Sequence, residues 1–185
     1  DLCAAPGGKA THIATLMQDR GEVLALDLNR SRLKMIRENC DRLGIESVRA
    51  ATGDATIFKL DRLADRILLD APCSGLGTLG RKSEIRWSKD ESTIRELAAL
   101  QTKLIEHAAT MLKPGGRLVY STCTTESAEN EEIIQKFIEK HKDFSVVCPP
   151  SKFSKLTTKQ GFLRTWPHRD RIGGSFAAIL ERRKA

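Results

Sequence analysis

The chain has 185 residues, a formal net charge of +7 and five cysteines. Its length suits one domain with a sizeable core, and no apolar run is long enough to cross a bilayer, so we expect a soluble protein. The cysteines are odd in number and widely spaced, without a C-x-x-C pair or a Cys/His cluster. This usage predicts a reducing, cytoplasmic setting and no metal.

The positive charge is concentrated near one end. Residues 150–185 hold nine Lys or Arg against two acidic residues, an excess equal to the net charge of the whole chain. A basic segment suits a polyanionic partner, and on charge alone a solvated basic tail is about as good an interpretation. The chain starts at Asp1, already inside what reads as a strand, so we expect it to be part of a longer protein.

The first predicted element is a short strand, Leu2 to Ala5, that leads through two glycines into a helix ending near Gln18. A strand–glycine–helix turn can bring backbone N–H groups against a ligand at the helix N-terminus. The same turn, taken alone, also fits an ordinary tight connection between two elements.

A second predicted strand, Glu22 to Asp27, ends in an acid that lies 19 residues after Gly8. At about 20 residues from a glycine turn, an acid in such folds bonds the hydroxyl groups of a nucleoside ribose. The alternative is that Asp27 caps the following helix, which starts near Asn29 and is stopped by Gly44. The spacing favours the ligand role.

Two further acids follow predicted strands. Asp54 comes after the strand Val48 to Ala51, where it could bond an adenine amino group or cap a turn. Asp70 follows the buried strand Ile67 to Leu69. Because open α/β sheets bind ligands at the carboxyl edge of their strands, the repetition itself points to a site.

Two cysteines also end predicted strands. Cys73 comes three residues after Asp70, and Cys123 ends the strand that starts near Arg117. We therefore expect the two thiols to face one crevice. Cys40 and Cys148 are interpreted as buried, inert thiols.

The remaining segments predict a loop, two helices and two strands. The loop Leu76 to Lys89 carries basic residues beside Trp87, which suits phosphate contact and base stacking, although Trp87 could equally anchor the loop to the core. A long core helix follows, running to about Leu112, and then a helix from Ser127 to Lys142 whose terminal charges match the helix dipole and are interpreted as structural. The last strands, Phe144 to Cys148 and Gly174 to Leu180, are joined without a helix and are expected to form an antiparallel hairpin at one edge.

Alternating strands and helices predict a doubly wound α/β sheet. Within it, Asp1–Lys9, Asp70–Ser74 and Tyr120–Thr124 resemble three signature motifs of the Sun/Nop RNA (cytosine-5)-methyltransferases. The nearest branch is the bacterial one that methylates small-subunit ribosomal RNA. The resemblance implies a Rossmann-like class I S-adenosylmethionine (SAM) methyltransferase fold, with a mostly parallel twisted sheet, helices on both faces and an antiparallel edge strand.

The resemblance also implies roles for individual residues. Cys123 would be the nucleophile that attacks cytosine C6, Cys73 the helper that promotes product release, and Asp70 a partner for N3 of the base. The implied SAM-binding residues are Cys3, Ala4, Ala5, Pro6, Gly7, Gly8, Lys9, Asp27, Arg32, Asp54 and Asp70. The expected RNA contacts are Arg81, Lys82, Arg86, Trp87 and Arg169. The expected protein is a monomeric rRNA-methylating enzyme without metal or membrane.

The sequence departs from the family pattern in two places. Ser83 stands where a proline is common, and Gly173–Phe176 replaces an Asp-Gly-Phe-Phe element. The family's N-terminal RNA-binding extension is expected to be missing from this fragment. Two rival functions are an RNA-binding module without the reaction and an enzyme that methylates an exocyclic amine, for which Asp-Pro-Pro-aromatic would be expected at Asp70–Cys73.

Overall fold

The computed structural model describes residues 1–184, and the chain divides into two compact units, Asp1–Lys59 and a second that starts at Leu60. The elements of the first unit are α1 (Gly8–Leu16), β1 (Val23–Asp27), a 3-10 turn (Arg30–Arg32) that continues into α2 (Leu33–Leu43), and β2 (Val48–Thr52). Strands β1 and β2 pair in parallel, and Leu2 forms an isolated parallel bridge to Leu26. The chain before α1 therefore lies beside β1.

The core of the first unit is built from small and aliphatic side chains. Alanines supply much of it, so that α1, α2 and β1 approach closely. Helix α2 ends as predicted at Gly44, whose φ of 64° is a left-handed conformation that suits glycine.

The second unit contains five strands and four α-helices among its described residues. They are β3 (Ala64–Asp70), α3 (Ile85–Ser88), α4 (Glu91–Thr110), β4 (Leu112–Thr122), α5 (Glu131–Lys140), β5 (Phe144–Val147), β6 (Leu163–Thr165), α6 (Pro167–Asp170) and β7 (Ser175–Arg182). The sheet order is β3-β4-β7-β5, with β6 also paired to β7. Strands β3 and β4 are parallel, whereas β7 is antiparallel to each of its neighbours.

The parallel register of β3 and β4 positions the two cysteine loops. Asp70 at the end of β3 lies opposite Ser121 near the end of β4. The segments that follow the two strands, one with Cys73 and one with Cys123, therefore leave the sheet at the same edge.

Helix α4 is the longest helix of the described chain. Asp90 caps its N-terminus by accepting a hydrogen bond from the Thr93 backbone, and the helix buries one face that includes Leu104 and Ile105. In residues 1–184, no helix combines the length and apolar character that a membrane span requires.

The structure differs from the predicted elements at the last strands. Strands β5 and β7 do pair antiparallel, but β7 lies inside the sheet, between β4 and β5. Their connection is not simply a loop, because it contains a 3-10 helix (Ser151–Leu156), β6 and α6. Elements as short as β6, with three residues, carry too little apolar periodicity to be recognised in sequence.

The predicted helix Ser127 to Lys142 is interrupted. A 3-10 turn covers Ser127–Glu129, and α5 begins only at Glu131. Between them Asn130 has φ −126° and ψ −99°, which is not helical. This break places buried polar side chains beside the cysteine loops.

Candidate active site

The glycine turn of the first unit requires glycine at position 7. Gly7 has φ 101°, and a Cβ there would lie 3.0 Å from the Ile36 Cα atom. The turn is held against β1, because Ala4 N donates to Leu26 O at 2.8 Å, and α1 starts directly after Gly7. The backbone N–H groups at the start of a helix suit an anionic ligand group.

Asp27 lies at the end of β1 and is only 4% exposed. Its Oδ2 accepts a hydrogen bond from Ala5 N at 3.0 Å, and its Oδ1 accepts one from Asn29 N at 3.0 Å. The side chain that caps the following turn is that of Asn29, which accepts from Ser31 N. The capping alternative for Asp27 is therefore wrong. A carboxylate has about four lone-pair sites, so these two bonds leave acceptor capacity for ribose hydroxyls.

Arg32 braces the same turn. Its Nη2 donates to Ala5 O at 2.7 Å, and its Nη1 lies 3.9 Å from Asp27 Oδ2. Ala5 is thus held through its N–H by Asp27 and through its carbonyl by Arg32. The implied SAM contact of Arg32 stays a prediction, and the sequence did not indicate this bracing contact.

Asp54 organises the turn after β2. Its Oδ1 accepts from both Thr56 N at 2.8 Å and Thr56 Oγ1 at 2.7 Å. The turn-capping alternative is therefore present in the structure, and an adenine contact stays a prediction.

The donor set of this unit fits SAM. The turn at Gly7 has no room for a Cβ, so a ligand can closely approach its backbone and the helix N-terminus that follows. The buried carboxylate of Asp27 supplies a hydrogen-bond acceptor. An amino-acid nucleoside such as SAM requires both features. The expected binding residues Cys3, Ala4, Ala5, Pro6, Gly8 and Lys9 all lie on this turn or in the first turn of α1.

The two strand-end thiols of the second unit meet. The Sγ atoms of Cys73 and Cys123 lie 3.4 Å apart, well beyond the roughly 2.05 Å of a disulfide, so both are free thiols in this structure. Cys123 N also donates to Cys73 Sγ at 3.4 Å. Cys123 is exposed, whereas Cys73 is partly buried. The neighbouring Cys123 sulfur and burial together raise the pKa of the Cys73 thiol far above its ordinary range.

Asp70 lies on the strand that leads to Cys73. Its Oδ1 accepts a hydrogen bond from Ser121 Oγ at 2.8 Å, and Ala71 N donates to Ser121 O at 2.9 Å. The carboxyl group is thereby fixed at the shared edge of β3 and β4. Its role toward the cofactor or the base stays a prediction.

The structure also identifies site residues that the sequence did not indicate. Glu129 and Asn130 are fully buried and hydrogen-bonded to the segments around both thiols. Gly77 N donates to Cys123 O at 3.0 Å, and Gly77 O accepts from Gly174 N at 2.7 Å. The charges at the start of this helix, Glu129 among them, were expected to match the helix dipole and to be structural; the bonds of Glu129 to Ser74 and Gln101 are contacts that this expectation did not include. No local pattern distinguishes it from the exposed glutamates nearby.

The expected RNA-binding loop is exposed. Trp87 on α3 is 85% exposed, so the alternative that it anchors the loop in the core is wrong. A Cβ on Gly173 would lie 3.3 Å from Arg81 Nη2. Arg169 is tied to its own segment, because its guanidinium bonds Asp170 and the carbonyl of Arg164. Lys82 and Arg86 are exposed.

The other cysteines differ from each other. Cys40 is buried, as predicted, and burial raises the pKa of its thiol. Cys148 is exposed, so its predicted burial is wrong; it directly follows the short outer strand β5, where little covers it. Within the described part of the chain, no group of three or more His, Cys, Asp or Glu is placed to hold a metal ion.

Comparison with known proteins identifies relatives. Residues 1–181 match the family model described as 16S rRNA methyltransferase RsmB/F. The ribosomal RNA small subunit methyltransferase B of Serratia proteamaculans is 43% identical over 80% of this chain and 34% of its own length. The mouse tRNA (cytosine(72)-C(5))-methyltransferase NSUN6 is 47% identical over 71% of this chain and 30% of its own length. The chain spans less than half the length of these curated relatives.

A solved structure confirms the fold. NSun6 from Pyrococcus horikoshii, determined with the SAM analogue SFG, superposes with a TM-score of 0.89 and 36% identity, over 100% of this chain and 47% of that one. A methyltransferase homologue from the same organism gives a TM-score of 0.83 at 33% identity, over 98% of this chain and 59% of that one. The predicted Rossmann-like class I SAM methyltransferase fold is confirmed.

Proposed function

Because the chain belongs to the RsmB/F family of 16S rRNA methyltransferases, we propose that it transfers a methyl group from SAM to C5 of cytosine in small-subunit ribosomal RNA. The observation that carries the proposal is the pair of sulfurs 3.4 Å apart, one exposed and one kept protonated by its surroundings. Such a pair suits a reaction in which a covalent thioether is first made and then released.

Cytosine C5 is too weak a nucleophile to be methylated unaided. A thiolate that adds to C6 pushes electrons toward C5 and makes it enamine-like. As the C6–S bond forms, the electron pair of the C5–C6 double bond shifts into the C4–C5 bond and N3 takes up a proton from the Asp70 carboxyl. Methyl transfer to C5 restores the C4–N3 double bond and returns that proton to Asp70. The sulfur must later leave, which restores the C5–C6 double bond.

Cys123 is the better nucleophile of the pair. It is exposed at the edge where β4 ends, so a base can reach its sulfur. Cys73 is partly buried and its pKa is raised, so at neutral pH its thiol stays protonated and unreactive. Exposure and protonation therefore support the roles that the family resemblance implies.

Cys73 can then assist release. Once Cys123 is a thioether, the two contributions of its free sulfur to the raised Cys73 pKa, first the hydrogen bond between the sulfurs and then the charge, are reduced. Cys73 then ionises more readily and can accept the C5 proton, either directly or through a group that it positions. Loss of that proton lets the C6–S bond break, and its electron pair returns to Cys123 as a thiolate.

Asp70 supplies the third functional group of the proposed reaction, a carboxyl, beside the two thiols. Its carboxyl, oriented by Ser121, is proposed to hold the proton on N3 while the thiolate adds. When bound by the glycine turn together with Asp27, Arg32 and Asp54, SAM supplies the methyl group as an electrophile.

The exposed loop around Trp87 is proposed to hold RNA. An indole that is 85% exposed offers a stacking face for a base, and Arg81, Lys82 and Arg86 offer cations for phosphates. Arg169, already paired with Asp170, is proposed to contact RNA with its remaining exposed surface.

The deciding experiment is trapping of the covalent intermediate. The protein carrying Cys73→Ala is incubated with SAM and either 16S rRNA or tRNA transcripts, and an RNA-linked band is sought on a denaturing gel. We expect a band that disappears in Cys73→Ala/Cys123→Ala and is absent from the exposed-thiol control Cys148→Ala.

Each outcome separates the proposal from its rivals. A band with rRNA supports the proposal as stated, and a band with tRNA alone keeps the chemistry but changes the substrate. Absence of any band, with SAM binding demonstrated, would favour an RNA-binding module or amine methylation, since neither requires attack on C6.

A further inference from the structure

Glu129 holds the segment around Cys73. Its carboxylate accepts hydrogen bonds from Ser74 N at 2.8 Å and Ser74 Oγ at 2.5 Å, and also from Gln101 Nε2 at 2.9 Å. The same Gln101 nitrogen donates to Pro72 O at 2.9 Å. The residues on either side of Cys73 are therefore fixed by one buried carboxylate and one buried amide.

Asn130 holds the segment around Cys123 in the same way. Its Oδ1 accepts from Thr122 Oγ1 at 2.5 Å, and its Nδ2 donates to Thr124 O at 3.1 Å. Both neighbours of Cys123 are thus bonded to one side chain. Asn130 is fully buried, so water does not compete for these bonds.

The two segments are also joined to each other through a directed chain of hydrogen bonds. Ser74 Oγ donates to Glu129, so the 2.7 Å contact between Ser74 Oγ and Thr124 Oγ1 must have Thr124 as its donor. Thr124 Oγ1 in turn accepts from Glu126 N at 3.2 Å. A carboxylate can only accept, and it therefore sets the direction of the whole chain.

The backbone between the two residues is fixed as well. The Glu129 carbonyl accepts from the buried Tyr120 hydroxyl at 2.6 Å, and Tyr120 lies on β4, three residues before Cys123. Asn130 has non-helical dihedral angles and lies just before α5, and its side chain bonds Thr122 and Thr124. Two consecutive residues can therefore bond two different loops.

We propose that Glu129 and Asn130 are positioning residues that set the separation of Cys73 and Cys123. Glu129 fixes the Cys73 loop, Asn130 fixes the Cys123 loop, and the peptide bond between them limits how far the loops can move apart. The geometric part of this proposal is independent of the reaction, and its kinetic consequence rests on the proposed function.

The geometric part is tested by oxidation of the thiol pair. Diamide takes two electrons and two protons from the two thiols, becomes the hydrazine, and leaves a Cys73–Cys123 disulfide that proteolysis and mass spectrometry can quantify. The isosteric variant Glu129→Gln replaces a hydrogen-bond-accepting carboxylate oxygen by a donating NH2 group. Asn130→Asp makes the reverse change, from a donating NH2 group to an accepting oxygen. We expect each to slow disulfide formation at least about tenfold, and the matched control Glu132→Gln, on the exposed side of α5, to leave it unchanged.

The kinetic part predicts opposite effects for neighbouring residues. Glu129→Gln displaces Cys73, so the covalent RNA adduct should accumulate; Asn130→Asp displaces Cys123, so the adduct should form more slowly. General destabilisation would lower both rates together and cannot produce this split. Should an isosteric variant fail to fold, Ser74→Ala and Thr122→Val remove the corresponding hydroxyl donors and carry the same expectations.

The outcomes keep the two proposals apart. Disulfide formation at the wild-type rate in both variants would overturn the positioning role, whatever the protein methylates. Slow disulfide formation without any RNA adduct, even in Cys73→Ala, would support the positioning role and overturn the proposed function.

Discussion

Gly77 lies between two backbone segments of the candidate site and leaves no room for a side chain. A Cβ at this position would lie 2.1 Å from Gly174 O and 2.8 Å from Cys123 O, both of them backbone atoms that cannot rotate away. In Gly77→Ala the Gly174 carbonyl would have to move by about 1 Å to reach an ordinary contact. The two hydrogen bonds that join these segments, at 3.0 and 2.7 Å, would be lost or distorted.

The cost can be estimated from these contacts. Two backbone hydrogen bonds contribute about 1 kcal/mol each, and overpacking costs about 1–3 kcal/mol, so we expect Gly77→Ala to lower the free energy of unfolding by about 3–5 kcal/mol. Because the Cys123 carbonyl would also lie too close to the new Cβ, at 2.8 Å, we expect it to shift as well and to slow formation of the Cys73–Cys123 disulfide under diamide.

Urea denaturation measures the free energy of unfolding, and Gly80→Ala is the matched control. A Cβ on Gly80, in the same loop, would meet no atom within 4 Å. Its substitution should change the unfolding free energy by no more than about 0.5 kcal/mol. Equal stability of the two alanine variants, with equal rates of disulfide formation, would show that position 77 has room for a side chain.

Three further predictions address separate groups. Asp27→Ala should weaken SAM binding by about 1.5–3 kcal/mol in titration calorimetry, because a charge-assisted acceptor and the anchor of the glycine turn are lost. The control Asp41→Ala, at an exposed position, should leave SAM affinity unchanged. Equal SAM affinities of the two variants would contradict the ribose role of Asp27. Iodoacetamide should modify Cys73 only slowly up to pH 9, because the hydrogen bond with the Cys123 sulfur and burial raise the Cys73 pKa. Cys123→Ser removes that sulfur and should lower the Cys73 pKa and speed the modification. An unchanged rate would contradict the influence of Cys123 and leave burial as the cause. Trp87→Ala should weaken RNA binding by about 1–3 kcal/mol in filter binding and leave the free energy of unfolding unchanged, because the indole is exposed. A lower free energy of unfolding would mean that the indole packs against other residues of the protein.

The exposed loop near Gly173 illustrates what a departure from the family pattern changes. Where the family commonly has an aspartate, this chain has a glycine whose Cβ position is 3.3 Å from Arg81 Nη2. An aspartate there would place its carboxylate against the guanidinium. The glycine therefore leaves this Arg81 nitrogen without that carboxylate, which is consistent with the proposed phosphate contact.

Local sequence patterns determined the features that depend on neighbours along the chain. Apolar runs defined the buried strands, Gly44 defined the end of α2, and the position of acids and cysteines after strands defined the sheet edge where Asp70, Cys73 and Cys123 meet. These features follow from short-range rules: a strand's side chains alternate, a helix needs a cap, and parallel strands present their carboxyl ends together.

Only the tertiary structure decided which polar groups are buried and what they hold. Glu129 and Glu132 lie in the same run of acidic residues, but Glu129 is fully buried against Ser74, which is 55 positions away, while Glu132 pairs with Lys136. Likewise, Gly77 and Gly80 are both loop glycines in sequence, but only Gly77 contacts Gly174, the residue just before β7. Burial depends on contacts between distant segments, and no local spacing records which segments the sheet brings together.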